Sequence, residues 1–281
     1  MLVADASLML TATPTARREA VRNARRELKA VRAIAPLCRS ATTDVAIDGV
    51  LEFSAKANQL LGPLRDRDAL SRSIHRLADR FADAETRRVT RTILLATLIL
   101  AEADRRDDAA YSDASIDRAK RSIRSARAVV SSIGPDATID SDHAALLMQR
   151  SFADCRDELS AALNKSDLAR LHECRKKASF LALAMRTFED ELPSSVRRMR
   201  ARAKRLAAAL GEDRDLALLD VEMRATRSQL SGSPLAAAID DALRLARLEA
   251  GARVEDAARA FLRLGRGRVR RGLDELFGRC D

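Results

Sequence analysis

The chain has 281 residues, of which 47% are hydrophobic and 33% are charged. This composition is typical of a globular protein and excludes a disordered chain, and the length suits one large domain or two of about 140 residues. The 51 basic residues outnumber the 41 acidic ones, and the resulting net charge of +10 favours an anionic partner.

The pattern of apolar residues indicates helices from about residue 14 to the C-terminal end. Aromatic residues make up only 3% of the chain, and no run of alternating β-branched residues occurs, so we predict an all-α fold. The longest apolar run, residues 93–101, is too short to cross a membrane. Because the N-terminal segment lacks a basic region that a signal peptide would have, we expect a cytoplasmic protein.

The first predicted helix, residues 14–36, carries its basic residues on one face. They follow one another at steps of four and three residues, which is the spacing of neighbours on a helix surface. Acidic residues are few on this helix, so a polyanion would relieve the repulsion within the stripe. An ordinary solvated surface is the alternative, although such surfaces usually mix charges. The stripe consists of Arg18, Arg22, Arg25, Lys29 and Arg32.

A second motif, LGPLRD, begins at Leu61 after a predicted helix over residues 43–61. It places Arg65 and Asp66 in the first turn of the next helix, where an acidic residue interacts favourably with the helix dipole. The simplest role for the Arg–Asp pair is to fix the turn between the two helices. Direct contact between the arginine and a ligand is the alternative.

Both motifs recur about 150 residues later along the chain. The first, VRNARREL, is matched by LHECRKKA, and the second, LGPLRD, is matched by LGEDRD. Arg25 precedes Gly62 by 37 residues, and Arg175 precedes Gly211 by 36. This agreement predicts two copies of one helical unit, and we expect two helical bundles related by a pseudo-twofold axis.

The predicted organisation is therefore an N-terminal extension followed by two repeats. The extension covers residues 1–13, and the domain covers 14–281, with repeats at about 14–140 and 141–281. In the second repeat we predict helices over 194–210 and 214–230. A last helix over 233–278 is expected to break near Gly251 or near Gly265.

The second copy keeps only part of the basic stripe. His172, Arg175 and Lys176 match the first copy, but Ser179 and Ala182 stand where that copy has its last two cations. The further candidates for contact with a polyanion are Arg26, Arg214, the residues Lys56 and Arg205 that lie six positions before each glycine, and Arg263 and Arg270 near the C-terminus.

Signatures of catalysis are missing from the sequence. No P-loop, nucleophile elbow or HExxH motif occurs, and acidic residues do not cluster as a metal site needs. The four cysteines lack the CxxC spacing of metal sites. We therefore expect no catalytic residue, no bound metal and no cofactor.

The two motifs together resemble those of the CHAD family, the conserved histidine α-helical domain. The opening motif of such domains looks like V-H-x-x-R-[KR]-x-x-[KR]-x-[LV]-R, which residues 21–32 follow except that Arg22 stands at the histidine. The second copy keeps that histidine as His172. The family segment L-G-x-x-R-D-x-D is complete through Asp68, whereas the second copy has Ala217 at its last position.

The resemblance implies two four-helix bundles that face each other across a basic groove. Such domains bind inorganic polyphosphate, and some are found on polyphosphate or polyester granules. Others are fused to a CYTH-type triphosphatase, but this chain has neither its ExExK strand motif nor a β-rich segment. We therefore expect a polyphosphate-binding protein that is not an enzyme, with granules as an expected location.

Two alternatives stay open at this stage. A non-specific nucleic-acid-binding protein would also need positive charge, although the scarcity of aromatic residues and the lack of a reading motif disfavour it. A metal-dependent enzyme that processes polyphosphate would need a cluster of carboxylates.

Overall fold

The computed structural model of the chain describes residues 14–39, 43–103, 113–133, 139–165, 168–225 and 234–278. These residues form ten α-helices and one short 3-10 helix, Ala35–Cys38, with no strand among them. The all-α prediction is therefore confirmed. Within the described residues, no helix is long and apolar enough to cross a membrane. The predicted N-terminal extension lies outside the described residues.

The helices follow one another along the chain with short connections. They are α1 (Pro14–Ile34), α2 (Asp44–Leu60), α3 (Gly62–Ala78), α4 (Ala84–Ala103), α5 (Asp113–Ser132), α6 (Ser141–Lys165), α7 (Leu168–Ala184), α8 (Ser194–Ala225), α9 (Pro234–Leu262) and α10 (Arg266–Leu276).

The two copies of the LG motif differ in whether they interrupt a helix. In the first copy α2 ends at Leu60, and α3 begins at Gly62 with Pro63 in its first turn. Proline has no N–H for the helical ladder and clashes with the preceding turn, so the helix cannot continue through it. The second copy has Glu212 at that place, and α8 runs unbroken through Gly211. The prediction of separate helices over 194–210 and 214–230 was wrong for this reason.

The break in the last predicted helix lies at the second of the two expected places. Helix α9 continues through Gly251 and ends at Leu262, and α10 begins at Arg266. Arg156 of α6 closes the end of α9, because its guanidinium Nη1 donates to the carbonyl oxygens of Leu262 and Leu264, each at 2.7 Å. Leu262 is the last residue of α9 and Leu264 follows it. The last carbonyls of a helix lack partners within the helix, and a cationic donor is favourable there.

Helices α1, α2 and α5 bury a small core against one another. Leu28 on α1 is packed with Leu61 after α2 and with Ile116 and Ile123 on α5. Fully burying a side chain of this size stabilises the fold by about 1.5–3 kcal/mol. Because the apolar residues of α1 face this core, its basic residues are left on the remaining faces.

The largest core joins the last five helices. It includes Leu181 of α7, Met199 of α8 and Phe152 of α6. The ring of Phe152 meets that of Phe261 of α9 edge to face, with centroids 5.5 Å apart. Leu273 of α10 is fully buried in the same cluster. Helices α9 and α10 therefore belong to the same folded unit as the second copy of the motifs.

A third core connects the two halves of the chain. Leu70, Ile74 and Leu77 of α3 pack with Leu219 of α8 and Leu243 of α9. Helix α1 also packs against α7. The halves thus share buried surface, and the paired helices α1 and α7 bring both copies of the first motif to one place.

Candidate functional site: a basic cavity

A cavity of about 1010 Å³ lies where α1 and α7 approach each other. Helices α2, α3, α6 and α8 complete its wall, so both copies of both motifs contribute to it. We call this feature the basic cavity because of the charge on its lining. Among the residues that the structure describes, eight arginine and lysine side chains line it against one carboxylate, that of Asp66. The eight cations are Arg25, Lys29, Arg32, Arg65, Arg175, Lys176, Lys177 and Arg214.

Arg25 is held against the wall of the cavity from α1. Its Nη1 donates to the backbone carbonyl of Asn58 at the end of α2. Its Nε is buried and has no hydrogen-bond partner among the described residues. Burial, and then the positive charge of Arg65, lower the pKa of Arg25 to about 10 against the opposing effect of Asp66. The surroundings of Arg25 therefore disfavour its charged form.

Lys29 lies one helical turn further along α1. Its side chain retains solvent exposure, and its ammonium group forms no ion pair with a described residue. Partial desolvation by the surrounding wall lowers the pKa of Lys29 to about 8, with Arg175 and Arg25 as the next causes. An anion in the cavity would raise this pKa again.

The α7 side of the cavity presents His172 and Arg175. Arg175 forms neither a hydrogen bond nor an ion pair with a described residue, and burial followed by the charges of Arg214 and Arg65 lowers its pKa. Burial also lowers the pKa of His172, with Arg214 and Lys176 as the next causes. His172 is therefore neutral near pH 7 in the free protein, since the ordinary histidine pKa is about 6.5.

The motif arginine of each copy lies beside the glycine of the same copy. A Cβ atom placed on Gly62 would lie 3.8 Å from Nη1 of Arg25. One placed on Gly211 would lie 3.5 Å from Nη1 of Arg175. The nearly equal spacing in sequence thus corresponds to the same local packing in both copies.

The Arg–Asp pairs of the second motif are not used in the same way. Arg65 binds Asp66 at 2.7 Å and reaches across to Asp215 of the other copy at 3.1 Å. Burial alone would lower the pKa of Arg65, but the hydrogen bonds and charges of these two carboxylates outweigh it and raise the pKa. Arg214 lines the cavity and forms no ion pair with a described residue. The predicted Arg–Asp ion pair is present in the first copy, whereas in the second copy the aspartate binds Arg65. The expected place of the aspartate was wrong, because Asp66 lies beyond the first turn of α3 and no side chain caps the start of that helix.

The model of the CHAD domain matches residues 7–224 of the chain. The chain belongs to the CHAD family. That family is associated with polyphosphate binding in general. No curated protein and no solved structure matches the chain.

Eight of the fifteen candidate residues of this CHAD domain line the basic cavity. Those that do are Arg25, Lys29, Arg32, Arg65, His172, Arg175, Lys176 and Arg214. Those that lie elsewhere are Arg22, Arg26, Lys56, Arg205, Arg263 and Arg270. The side chain of Arg18 lies outside what the structure describes.

Several of the outlying candidates already have acidic partners. Arg22 is bonded to Glu19 at 3.4 Å, and the CHAD histidine position it occupies therefore faces away from the cavity. Arg270 lies 3.9 Å from Asp274. Arg263 is exposed and forms no ion pair with a described residue. The cavity therefore gathers a subset of the sequence candidates.

Four polar or charged side chains that line the cavity were missed in the sequence, namely Lys177, Asn58, Gln59 and Ser151. Lys177 follows the matched residues directly, and its position in the motif could have suggested it, although the first copy has Glu27 there. Asn58 and Gln59 are brought in by α2 and Ser151 by α6, and no signal in the sequence marks them. Within the described residues, no three His, Cys, Asp or Glu side chains come together as a metal site requires.

Proposed function

We propose that the chain binds inorganic polyphosphate in the basic cavity and catalyses no reaction there. One observation carries the proposal: eight cationic side chains line a single cavity against one carboxylate. On most protein surfaces, cationic side chains are interspersed with acidic ones. Arg175, Lys29 and Arg214 here have no such partner among the described residues.

A linear polyphosphate matches this arrangement in chemistry. Each internal phosphoryl unit carries a negative charge and oxygen atoms that accept hydrogen bonds, so successive units can meet successive cations. Each charge-assisted hydrogen bond contributes about 1.5–3 kcal/mol where water is partly excluded, and about 0–1 kcal/mol where the pair is exposed. High affinity would then come from many modest contacts, and added salt would weaken binding steeply.

The lowered pKa values support the same function. Arg25, Lys29 and Arg175 each have a pKa below the ordinary value of their residue type, from burial and from one another. A bound polyanion would offset this mutual repulsion, which is a gain that an isolated surface cation does not offer. We further propose that this binding holds the protein at polyphosphate granules.

The test is a titration with long-chain polyphosphate at near-physiological salt, using the wild type and two charge-reversed variants. The cavity variant carries Arg25→Glu, Lys29→Glu and Arg175→Glu, and it should lose binding. The matched control carries Arg263→Glu, Arg268→Glu and Arg271→Glu, which are exposed residues outside the cavity with the same change in net charge. The control should keep most of the affinity.

Each outcome of this test has a clear meaning. Unchanged affinity in the cavity variant would reject the site, and equal losses in both variants would show that only total charge matters. If the Glu variant proves unfolded by circular dichroism, the Gln triple at the same positions replaces it. A parallel titration with duplex DNA distinguishes polyphosphate binding from general nucleic-acid binding. Release of phosphate from polyphosphate after addition of Mg²⁺ or Mn²⁺ would show that the protein is an enzyme.

A further inference from the structure

Three lysines line the basic cavity, and their surroundings differ. Lys176 has its Nζ 2.7 Å from Glu173, and Lys177 has its Nζ 3.9 Å from Glu158. Lys29 forms no ion pair with a described residue and remains in contact with solvent. Its amine is thus accessible and is not held by a carboxylate.

The neighbours of Lys29 are suited to hold a small phosphorylated molecule beside it. Arg175 of α7 and Arg25 of α1 line the same cavity as Lys29 and are the charges that act on it most strongly. Arg65 and Arg214 line that cavity as well and have smaller effects on Lys29. Guanidinium groups bind phosphate oxygens with paired N–H donors. A phosphoryl group bound to Arg175 would bring whatever is attached to it close to the lysine amine.

We propose that Lys29 is a site of acylation by acyl phosphates. In this step the neutral Nζ attacks the acyl carbonyl carbon, and a new N–C bond forms. The bond between that carbon and the phosphoryl oxygen breaks. Inorganic phosphate is the leaving group, and the arginine side chains bind it as it forms. The extra proton on nitrogen passes to solvent, and the product is an uncharged amide that needs no oxidant or other reactant.

The protonation of Lys29 favours this reaction. Only the free base of an amine is nucleophilic, and a lysine with the ordinary pKa of 10.5 is almost wholly protonated near neutral pH. Desolvation, together with Arg175 and Arg25, lowers the pKa of Lys29 to about 8. In the free protein near pH 7.5, roughly a quarter of Lys29 is then neutral, compared with about a thousandth of an ordinary lysine. A bound acyl phosphate raises this pKa again, so the neutral fraction in the complex lies between these two values.

Acylation would also change what the cavity binds. The amide replaces an ammonium group in the wall, so the cavity loses one cation at the point where α1 faces α7. The loss of this cation predicts that acylated protein binds polyphosphate more weakly, a prediction that rests on the proposed function. The acylation chemistry itself does not depend on polyphosphate.

The decisive experiment treats the purified full-length wild type with acetyl phosphate near neutral pH and measures initial acetylation rates by site-resolved mass spectrometry. Lys29 should react at least about tenfold faster than Lys176 and Lys177, which share the cavity. Equal or slower acetylation of Lys29 overturns the proposal. An uncharged acetyl ester should show a smaller preference for Lys29, and an equal preference with both reagents would overturn the role of the bound phosphoryl group.

A second measurement separates this proposal from the proposed function. Treatment should weaken polyphosphate binding by the wild type about threefold and should leave the affinity of Lys29→Arg unchanged, each protein being compared with its own untreated sample. If Lys29→Arg loses as much affinity as the wild type, the modified site lies elsewhere and the inference is wrong. If untreated wild type does not bind polyphosphate, the proposed function fails, and the acetylation rates still decide the chemistry at Lys29.

Discussion

The two copies of the LG motif carry the same Arg–Asp pair in different surroundings. Arg65 is held by both aspartates, one from each copy, and only 18% of its side chain is exposed. Arg214 lines the cavity with no ion pair to a described residue. One arginine therefore ties the two copies together, and its counterpart is left available for a ligand. Identical residues at matching positions of the two motifs therefore need not have the same role.

The basic stripe divides in a similar way. Helix α1 presents Lys29 to the cavity, and α7 presents Ser179 at the matching position. In contrast, the histidine position faces the cavity only in the second copy, since His172 lines it and Arg22 does not. Each copy thus supplies what the other lacks, and the cavity has two unequal walls.

The largest expected effect separates Arg65 from Arg214. Arg65→Ala should lower the free energy of unfolding by about 3 kcal/mol, because it leaves the buried Asp215 without its partner. Arg214→Ala should change it by less than about 0.5 kcal/mol while weakening polyphosphate binding about tenfold. Urea denaturation and polyphosphate titration of both variants measure the two effects. Equal losses of stability would remove the distinction between the arginines.

The next prediction concerns the effect of Lys29, on the α1 wall of the cavity, on the stability of the fold. Lys29→Gln should raise the free energy of unfolding at about pH 7 by about 1 kcal/mol, a figure reduced for solvent exposure, and should weaken polyphosphate binding. The sign follows from the pKa of about 8, which shows that the folded protein disfavours the ammonium that the unfolded chain keeps up to 10.5. The wild type therefore gains stability as the pH rises from about 8, and the advantage of the variant shrinks over that window.

The matched control for Lys29→Gln is Lys176→Gln, which removes an ammonium that has a carboxylate partner in Glu173. It should give no gain in stability. Denaturant curves at several pH values distinguish the two variants. A variant at Lys29 that is less stable than the wild type at about pH 7 would show that its charge is not disfavoured.

A smaller effect is expected from making the two walls alike. Ser179→Lys adds to α7 the cation that α1 has, and it should strengthen polyphosphate binding about threefold and steepen its salt dependence. The control is Ser160→Lys, which adds the same charge at an exposed position outside the cavity. Isothermal titration calorimetry at two salt concentrations measures both variants. An equal gain from both would indicate an effect of net charge alone.

The smallest effect concerns the motif glycines. Gly211→Ala should stabilise the protein by about 0.5 kcal/mol, because Gly211 lies inside α8 and the added carbon would be 3.5 Å from Arg175, an ordinary contact. Gly62→Ala should give no gain, because the residue before Pro63 is restricted in the helical region. Thermal denaturation compares the two. A marked loss of stability in Gly211→Ala would mean that the glycine is needed for close approach.

The helices and much of the cavity could be predicted from the sequence because their signals are local. The steps of three and four residues on α1 predicted a basic face, and Arg25, Lys29 and Arg32 do line the cavity together. Arg22 belongs to the same pattern yet turns toward Glu19. The width of a helical face allows either direction, and only the packing of α1 against α7 decides between them.

The parts that could not be predicted depend on contacts between distant segments. The bond from Arg65 to Asp215 spans 150 residues, and nothing in either motif indicates which arginine takes the second carboxylate. The continuity of α8 was missed for a different reason, which is local. The two LG motifs were treated as equivalent although they differ at the residue after the glycine. Glu212 instead of Pro63 was visible in the sequence and is sufficient to explain it.

The end of the chain has a practical consequence for anyone who expresses pieces of this protein. The family match stops at residue 224, so a fragment cut there would contain the whole of that match. Such a fragment would lack Phe261 and Leu273 and would expose the apolar sides of α6 and α8 that they cover. Exposed surface of this kind promotes aggregation. A workable fragment therefore has to extend through α10, although the motifs that define the family end far earlier.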